Sequence, residues 1–124
     1  MNLNFSTASK YRNKIKEVDG IAFDSTKEAA CYEELKRAKE SGEIKSFEMQ
    51  KRFELIPAQY AEVPVNGKLK RRCVERAITY LADFVVSFPD GETTVLDCKG
   101  HKTEVYRIKK KLLMMTCGLR IKEV

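Results

Sequence analysis

The apolar residues that follow residue 24 repeat with the 3.6-residue period of an amphipathic helix. Ser25 is a favourable N-cap, and Glu28 follows at the capping-box spacing. The apolar positions continue through Cys31 and Leu35, and Gly42 supplies a C-terminal stop. The pattern predicts a first helix between Ser25 and Gly42.

A second helical pattern follows Thr103, which is a suitable N-cap, and ends at Gly118. Its apolar residues recur at helical spacing, and they are Val105, Ile108, Leu112 and Met115. We expect this stripe to face the core and the neighbouring basic residues to lie largely off it.

Short apolar or alternating segments around these helices predict strands. The segments are residues 14–18, 21–23, 44–49, 53–56, 77–88, 93–99 and 119–124. Turn signals separate several of them, at Asp19-Gly20, Asn66-Gly67 and Pro89-Asp90-Gly91. The order helix, three or more strands, helix, strand predicts a mixed α/β domain with a central sheet.

The length of 124 residues and the hydrophobic share of 43% suit a single domain over residues 1–124, with residues 1–10 as a candidate disordered tail. No segment approaches the run of about 20 apolar residues that spans a membrane. The first six residues also lack the apolar core of a signal peptide. We therefore expect a cytoplasmic protein.

The charge distribution favours a polyanionic partner. The net charge is +6, from 24 basic and 18 acidic residues, and the basic residues cluster within segments 10–16, 68–76 and 102–111. A single cluster is as readily a solvated face. Three clusters on one small domain shift the balance toward DNA or RNA.

The cysteine pattern argues against a zinc or redox site. Cys31, Cys73, Cys98 and Cys117 are not spaced as metal or dithiol pairs, and the chain has one histidine, His101. We expect reduced thiols, with Cys31, Cys98 and Cys117 packed as small hydrophobic residues.

Two acids lie in apolar strand segments on either side of the turn centred on Asp90. If the hairpin is symmetric about that residue, partners have numbers that sum to about 180, and Asp83 faces Asp97. Facing carboxylates destabilise an ordinary sheet, but a divalent cation between them removes the repulsion. The alternation of side chains places Lys99 on the face of Asp97 and turns Cys98 to the other face.

Both acids also have a structural explanation. Asp83 is equally compatible with a buried carboxylate that accepts backbone hydrogen bonds, and Asp97 with an exposed pair to Lys99. Glu28 has two explanations as well, a helix cap or an acid that reaches across to the sheet, and both can hold together.

The segment Ala82-Asp83-Phe84 followed by Asp97-Cys98-Lys99 resembles the PD-(D/E)xK nuclease motif, with Ala in place of Pro. From about Lys10 onward, the chain also resembles a family of small phage and prophage endonuclease-like proteins. The matching strings are Val18-Asp19-Gly20-Ile21, Phe23-Asp24-Ser25, Lys27-Glu28-Ala29, Phe53-Glu54-Leu55, Ala77-Ile78-Thr79-Tyr80, Thr103-Glu104-Val105-Tyr106 and Ile121-Lys122-Glu123-Val124, with Gln50 and Lys99-Gly100. The segment between Asn66-Gly67 and Ala77 is longer and more basic than expected for that family. It is either a DNA clamp or a solvated insertion.

The resemblance implies a restriction-endonuclease-like core (αβββαβ), with a central mixed sheet and two flanking helices, that hydrolyses phosphodiester bonds with Mg²⁺ or Mn²⁺. The implied metal ligands are Asp83, Asp97, the backbone carbonyl of Cys98, and Glu28. Lys99 would position the attacking water or stabilise charge on the phosphate, and Gln50 would orient water or phosphate.

Basic and tyrosine residues are the predicted DNA contacts, and they are Lys70, Arg71, Arg72, Lys102, Tyr106, Lys109 and Lys110. The leading expectation is a homodimeric, structure-specific endonuclease of the Holliday-junction resolvase type, encoded by a phage and acting on branched DNA in recombination or replication. Two alternatives remain open at this point. One is a sequence-tolerant nickase or transposase-like end-cutting nuclease, and the other is a non-catalytic DNA-binding accessory protein. We expect no small-molecule substrate and no membrane association.

Overall fold

The computed structural model of the protein describes residues 15–98 and 102–124. The elements, in chain order, are β1 (Lys16–Val18), β2 (Ile21–Phe23), α1 (Thr26–Ser41), β3 (Ser46–Ile56), β4 (Gln59–Val65), β5 (Lys68–Glu75), β6 (Ile78–Ser87), β7 (Thr93–Asp97), α2 (Glu104–Cys117) and β8 (Ile121–Glu123). No helix in these two ranges is long and apolar enough to cross a membrane.

The predicted ends of α1 are confirmed by its capping contacts. The Ser25 hydroxyl oxygen accepts a 3.1 Å hydrogen bond from the backbone N–H of Glu28. Gly42 has a left-handed backbone (φ 81°), and its N–H donates to carbonyls of the last turn. The helix buries one row of side chains against the sheet, including Cys31 and Leu35.

The ends of α2 are also confirmed, but its predicted buried stripe is wrong. The Thr103 hydroxyl caps the helix by accepting from the N–H of Tyr106, and Gly118 ends it with φ 66°. Three residues of the predicted stripe are exposed, at 60% for Val105, 51% for Ile108 and 75% for Met115. Leu113 is the fully buried residue of this helix.

The predicted stripe is wrong because α2 packs against the sheet through a different row of side chains. Leu113 clusters with Tyr80, Val85, Val95 and Ile121, and partly buried residues of α2 flank it. Lys109 and Lys110 are half-buried, and the Lys110 amine contacts Glu123 at 3.0 Å. Packing against the sheet therefore buries the row that contains Leu113, and the more hydrophobic row that contains Ile108 stays exposed.

The central sheet has the order β3-β6-β7-β8. β6 pairs antiparallel with both β3 and β7. β8 pairs parallel to β7 after the α2 crossover. The fold is thus mixed α/β, with a central mixed sheet and two helices, as predicted. The helix and strand order around this sheet is α1, β3, β6, β7, α2, β8.

Two apolar clusters cover the two faces of the sheet. One joins α1 to Phe84, Val86, Leu96 and Cys98, and the other contains Leu113 of α2. Cys31 and Cys98 are buried, as predicted, but Cys117 is exposed. The prediction for Cys117 fails because residues 114–118 at the end of α2 all lie at the surface.

The basic segment after Asn66-Gly67 is a strand, which the sequence did not predict. β5 pairs antiparallel with β4 in a two-stranded sheet of its own. Asn66 and Gly67 both have positive φ (51° and 77°), as a two-residue type I′ hairpin turn requires. Pro64 is tolerated in β4 because both strands of such a ribbon are edge strands.

Candidate active site

Three acids are buried in the part of the chain that the structure describes. The exposed fractions are 4% for Glu28, 1% for Asp83 and 6% for Asp97, and these are the buried charged side chains among residues 15–98 and 102–124. Burying a carboxylate is costly unless hydrogen bonds, cations or a metal compensate. All three belong to the set of acids predicted from the sequence.

The β6–β7 hairpin has the predicted register. Phe84 pairs with Leu96 and Val85 with Val95, so the numbers of partners sum to 180. The paired residues of this ladder end at Phe84 and Leu96, and Asp83 and Asp97 are the next residue on each strand. The two side chains whose like charges would repel are therefore neighbours in the middle of the sheet.

The carboxylate of Asp97 is held by a tyrosine from the neighbouring strand. The Tyr80 hydroxyl donates a buried 2.8 Å hydrogen bond to Oδ2 of Asp97. Burial, and then this hydrogen bond, raise the pKa of Tyr80, so the phenol remains a donor at neutral pH. Sequence reasoning missed Tyr80, because the hydrogen bond joins residues 17 apart on different strands and follows no local motif.

The carboxylate of Asp83 is held by the backbone of β7. The N–H of Cys98 donates a buried 2.8 Å hydrogen bond to Oδ2 of Asp83. The Cys98 thiol packs with Cys31 of α1 in the apolar cluster, and the hydrogen bond between the thiols, followed by burial, raises the pKa of Cys98. The thiol is therefore turned away from Asp97, as the strand alternation predicted.

Glu28 lies at the start of α1, where both of its proposed roles are compatible with the structure. Its backbone N–H completes the cap with Ser25. A capping residue need not be buried, however, and the side chain of Glu28 is 4% exposed. After the hydrogen bond to Cys31 and burial, the negative charges of Asp83 and Glu28 also contribute to the raised pKa of Cys98.

Gln50 interrupts β3 beside Asp83. Its φ is 52°, a left-handed value that is unusual for a residue with a side chain. The pairs on either side are Met49 with Phe84 and Lys51 with Ala82, so Gln50 occupies the position across from Asp83. Strained backbone of this kind is common where a side chain has a functional role.

Glu123 extends the row of acids and was not predicted. It pairs with Asp97 in the parallel β7–β8 register. Lys110 lies 3.0 Å and Lys102 lies 3.8 Å from its Oε1. The hydrogen bond from Lys110 is the main cause that lowers the pKa of Glu123. The only signal in the sequence was an acid in the final strand, and the sequence does not give the register of a parallel strand.

The predicted DNA contacts fall into two groups. Lys70, Arg71 and Arg72 are exposed on β5. On α2, Tyr106 is half-buried, and its ring lies 6.4 Å from that of Tyr80. Burial, and then the negative charge of Asp97, raise the pKa of Tyr106.

The remaining predicted contacts near α2 are less exposed than expected or form ion pairs. Lys102 and Lys110 contact Glu123, and Lys109 is half-buried. The predicted catalytic residue Lys99 lies outside the described residues.

The donor chemistry of the site fits a hard cation. Asp83 and Asp97 offer carboxylate oxygens, and the nearby sulfur of Cys98 faces the opposite side of the sheet. Within the described ranges, no three His, Cys, Asp or Glu side chains are grouped closely enough to hold a metal ion. A cavity of about 400 Å³ beside Phe88 and Asp90 is not lined by any of the three buried acids.

Comparison with protein families gives one match. A family model described as a protein of unknown function (DUF1064) matches residues 8–122. No curated protein and no solved structure matches the chain.

Proposed function

We propose that this chain, which belongs to the DUF1064 family of proteins of unknown function, is a metal-dependent DNA endonuclease of the PD-(D/E)xK type. The observation that carries the proposal is the burial of Asp83 and Asp97, which directly follow the Phe84–Leu96 pair on the adjacent strands β6 and β7. An ordinary sheet gains nothing from this arrangement, because two carboxylates repel each other across the strands. A divalent cation converts the repulsion into coordination.

The order of the elements supports a restriction-endonuclease-like core. The resemblance implied a helix, three strands, a helix and a strand, and the central sheet with α1 and α2 has that order. The β1–β2 and β4–β5 hairpins are additions to it. Fold alone does not assign function, so the proposal depends on the acids.

Mg²⁺ or Mn²⁺ is the proposed cofactor, held by Asp83, Asp97, the Cys98 carbonyl and Glu28. When bound, the cation supplies positive charge for the reacting phosphate and acidifies water. The Tyr80 hydroxyl and the Cys98 N–H fix the orientation of the two aspartates through their 2.8 Å hydrogen bonds. Such fixed ligands reduce the reorganisation that accompanies the reaction.

The other proposed participants act on the water and the phosphate. Lys99 positions the attacking water or stabilises charge on the phosphate. Gln50, across from Asp83, orients water or phosphate from the β3 side. Both roles rest on the resemblance, and for Gln50 the left-handed backbone (φ 52°) adds support.

The proposed substrate is branched DNA, cut by a homodimer in the cytoplasm of a bacterial host as in resolvases of phage recombination or replication. The net charge of +6 supports a nucleic acid partner. The two rival functions are a nickase or transposase-like end-cutter that uses the same site, and a DNA-binding accessory protein without catalysis.

Cleavage of labelled DNA separates these functions. The purified full chain is incubated in Mg²⁺ with a four-way junction and with a linear duplex of the same sequence. The proposal predicts paired cuts in the junction and little cutting of the linear duplex. Cutting of the linear duplex alone contradicts the resolvase assignment, and no cutting of either DNA in Mg²⁺ or Mn²⁺ contradicts the nuclease assignment.

A further inference from the structure

The β4–β5 hairpin is a ribbon that stands at the surface of the protein. All eight residues of β5 are exposed, and the strand pairs with β4 rather than with the central sheet. An isolated two-stranded ribbon is only marginally stable in water and contributes little to a core. The side chains of this ribbon are therefore better explained by a binding partner than by packing in the core.

The strand register divides the side chains of the ribbon between two faces. Lys68, Lys70 and Arg72 pair with Val65, Val63 and Ala61, respectively. Partners across a ladder, and alternate residues along a strand, point to the same side. One face, which we call the basic face, therefore carries these three cations beside small apolar residues, and an acid, Glu75, pairs with Gln59 only beyond the bulge at the far end of the ribbon.

The opposite face carries one cation and one acid. Arg71 pairs with Glu62 across the ladder, and its guanidinium lies 4.4 Å from the centre of the Tyr60 ring. This contact confirms that Arg71 and Tyr60 share a side of the ribbon, and a cation–π contact holds the arginine there. Arg71 is thus separated from the cations that precede and follow it.

We propose that the basic face binds the phosphate backbone of duplex DNA through Lys68, Lys70 and Arg72. Successive same-face residues of a strand are about 6.7 Å apart, which gives a regular row of positive charge. Duplex DNA presents a regular row of phosphates, and its major groove admits a two-stranded ribbon. The choice of DNA as the polyanion rests on the proposed function.

The composition of the basic face favours a duplex over a single strand. Proteins that bind single strands combine positive charge with aromatic rings on which bases stack. The basic face carries Ala61, Val63 and Val65 beside its cations, whereas the aromatic Tyr60 lies on the other face under Arg71. The contact therefore supplies affinity from the backbone without reading sequence.

The test is a salt titration of DNA binding by the full chain, with EDTA present so that binding is measured apart from cleavage. A labelled linear duplex and a labelled single strand of equal length are the probes. The variant Lys68→Gln/Lys70→Gln/Arg72→Gln removes the basic face. A matched control, Lys39→Gln/Lys45→Gln/Arg52→Gln, removes the same charge at exposed positions outside the basic clusters.

The proposal predicts that the ribbon variant loses at least about tenfold in duplex affinity at 0.1 M salt and that its salt slope falls by about 2.7, from three phosphate contacts. The control variant and Arg71→Gln should remain within about threefold of wild type. Circular dichroism of each variant checks that the central fold is unchanged.

Three results would overturn the proposal. The first is wild-type duplex affinity in the ribbon variant. The second is a loss of duplex affinity in the control variant equal to that in the ribbon variant. The third is a ribbon variant that loses affinity for the single strand alone. Failure of the nuclease assignment is distinguishable, because a chain that cuts no DNA in Mg²⁺ can still lose duplex binding when the basic face is removed.

Discussion

Tyr80 and Asp97 lie 17 residues apart in the sequence and are joined by a buried 2.8 Å hydrogen bond from the phenol to Oδ2 of the carboxylate. In Tyr80→Phe, the carboxylate loses this donor in a buried position. We expect the free energy of unfolding to fall by about 1–3 kcal/mol. Urea denaturation measures the loss, and Tyr60→Phe, at an exposed tyrosine, is the control. Equal stability of Tyr80→Phe and wild type would show that the hydrogen bond is not needed.

Metal binding should stabilise the folded protein through the two buried aspartates. At Mn²⁺ concentrations near 100 times the dissociation constant, the wild type should gain about 2.7 kcal/mol. Asp83→Asn and Asp97→Asn should lose most of this gain but be as stable as wild type, or more so, in EDTA, because the repulsion is relieved. Thermal unfolding with and without Mn²⁺ measures both effects.

The matched control for the metal experiment is Asp24→Asn, since Asp24 is exposed and precedes α1. It should keep the full response to Mn²⁺. An identical Mn²⁺ response in all three variants would place the ion elsewhere.

Substitutions at Gln50 separate the energetic cost of its left-handed backbone from the role of its side chain. Gln50→Gly removes the penalty of the left-handed conformation, so we expect stability to rise by about 1 kcal/mol. Gln50→Ala retains the penalty. If the side chain serves the reaction, both variants cut DNA more slowly than wild type, although only the glycine variant is more stable. Wild-type cutting by both variants would remove Gln50 from the site.

The ion pair of Glu123 should make stability depend on pH in the acidic range. Its pKa lies below the ordinary value of 4.5, chiefly because Lys110 donates a hydrogen bond to it. The unfolded chain therefore binds the proton more readily, and the stabilisation is present above pH 4.5 and is lost as the pH falls through the lower, folded pKa.

Urea denaturation between pH 7 and pH 3 tests this dependence. Glu123→Gln should be less stable than wild type at pH 7, and the difference should shrink toward pH 3. Glu92→Gln, at an exposed position in the β6–β7 turn, is the control and should follow the wild-type curve. A difference that stays constant with pH would contradict the assignment.

Local signals in the sequence predicted a large part of this fold. The caps at Ser25 and Gly42 and the turn around Asp90 specify their elements through neighbouring residues, and the turn also fixes the register that brings Asp83 to Asp97. Several other elements follow from apolar periodicity, although the segments 44–49 and 53–56, predicted as two strands, form the single strand β3. Such features are predictable because each depends on contacts within a few residues.

Features set by tertiary packing were not predicted. The buried row of α2 was misassigned because the helix offers two rows, and Leu113 with its neighbours fits the sheet better than the more apolar row of Ile108. Tyr80 reaches Asp97 through a hydrogen bond between strands, and Glu123 pairs with it in a parallel register, and no local pattern encodes either contact. The β4–β5 ribbon was missed because Pro64 and the run of charges lower the strand signal.

The central proposal is that Asp83 and Asp97 form a catalytic metal centre and that Lys99 takes part in the reaction. The most direct measurement is the single-turnover rate of Mg²⁺-dependent cleavage of a four-way junction by wild type, Asp83→Asn, Asp97→Ala and Lys99→Ala, with junction binding measured in EDTA. We predict that each variant loses at least about a hundredfold in rate while it still binds the junction. Cleavage at the wild-type rate by any of the three variants would contradict the account.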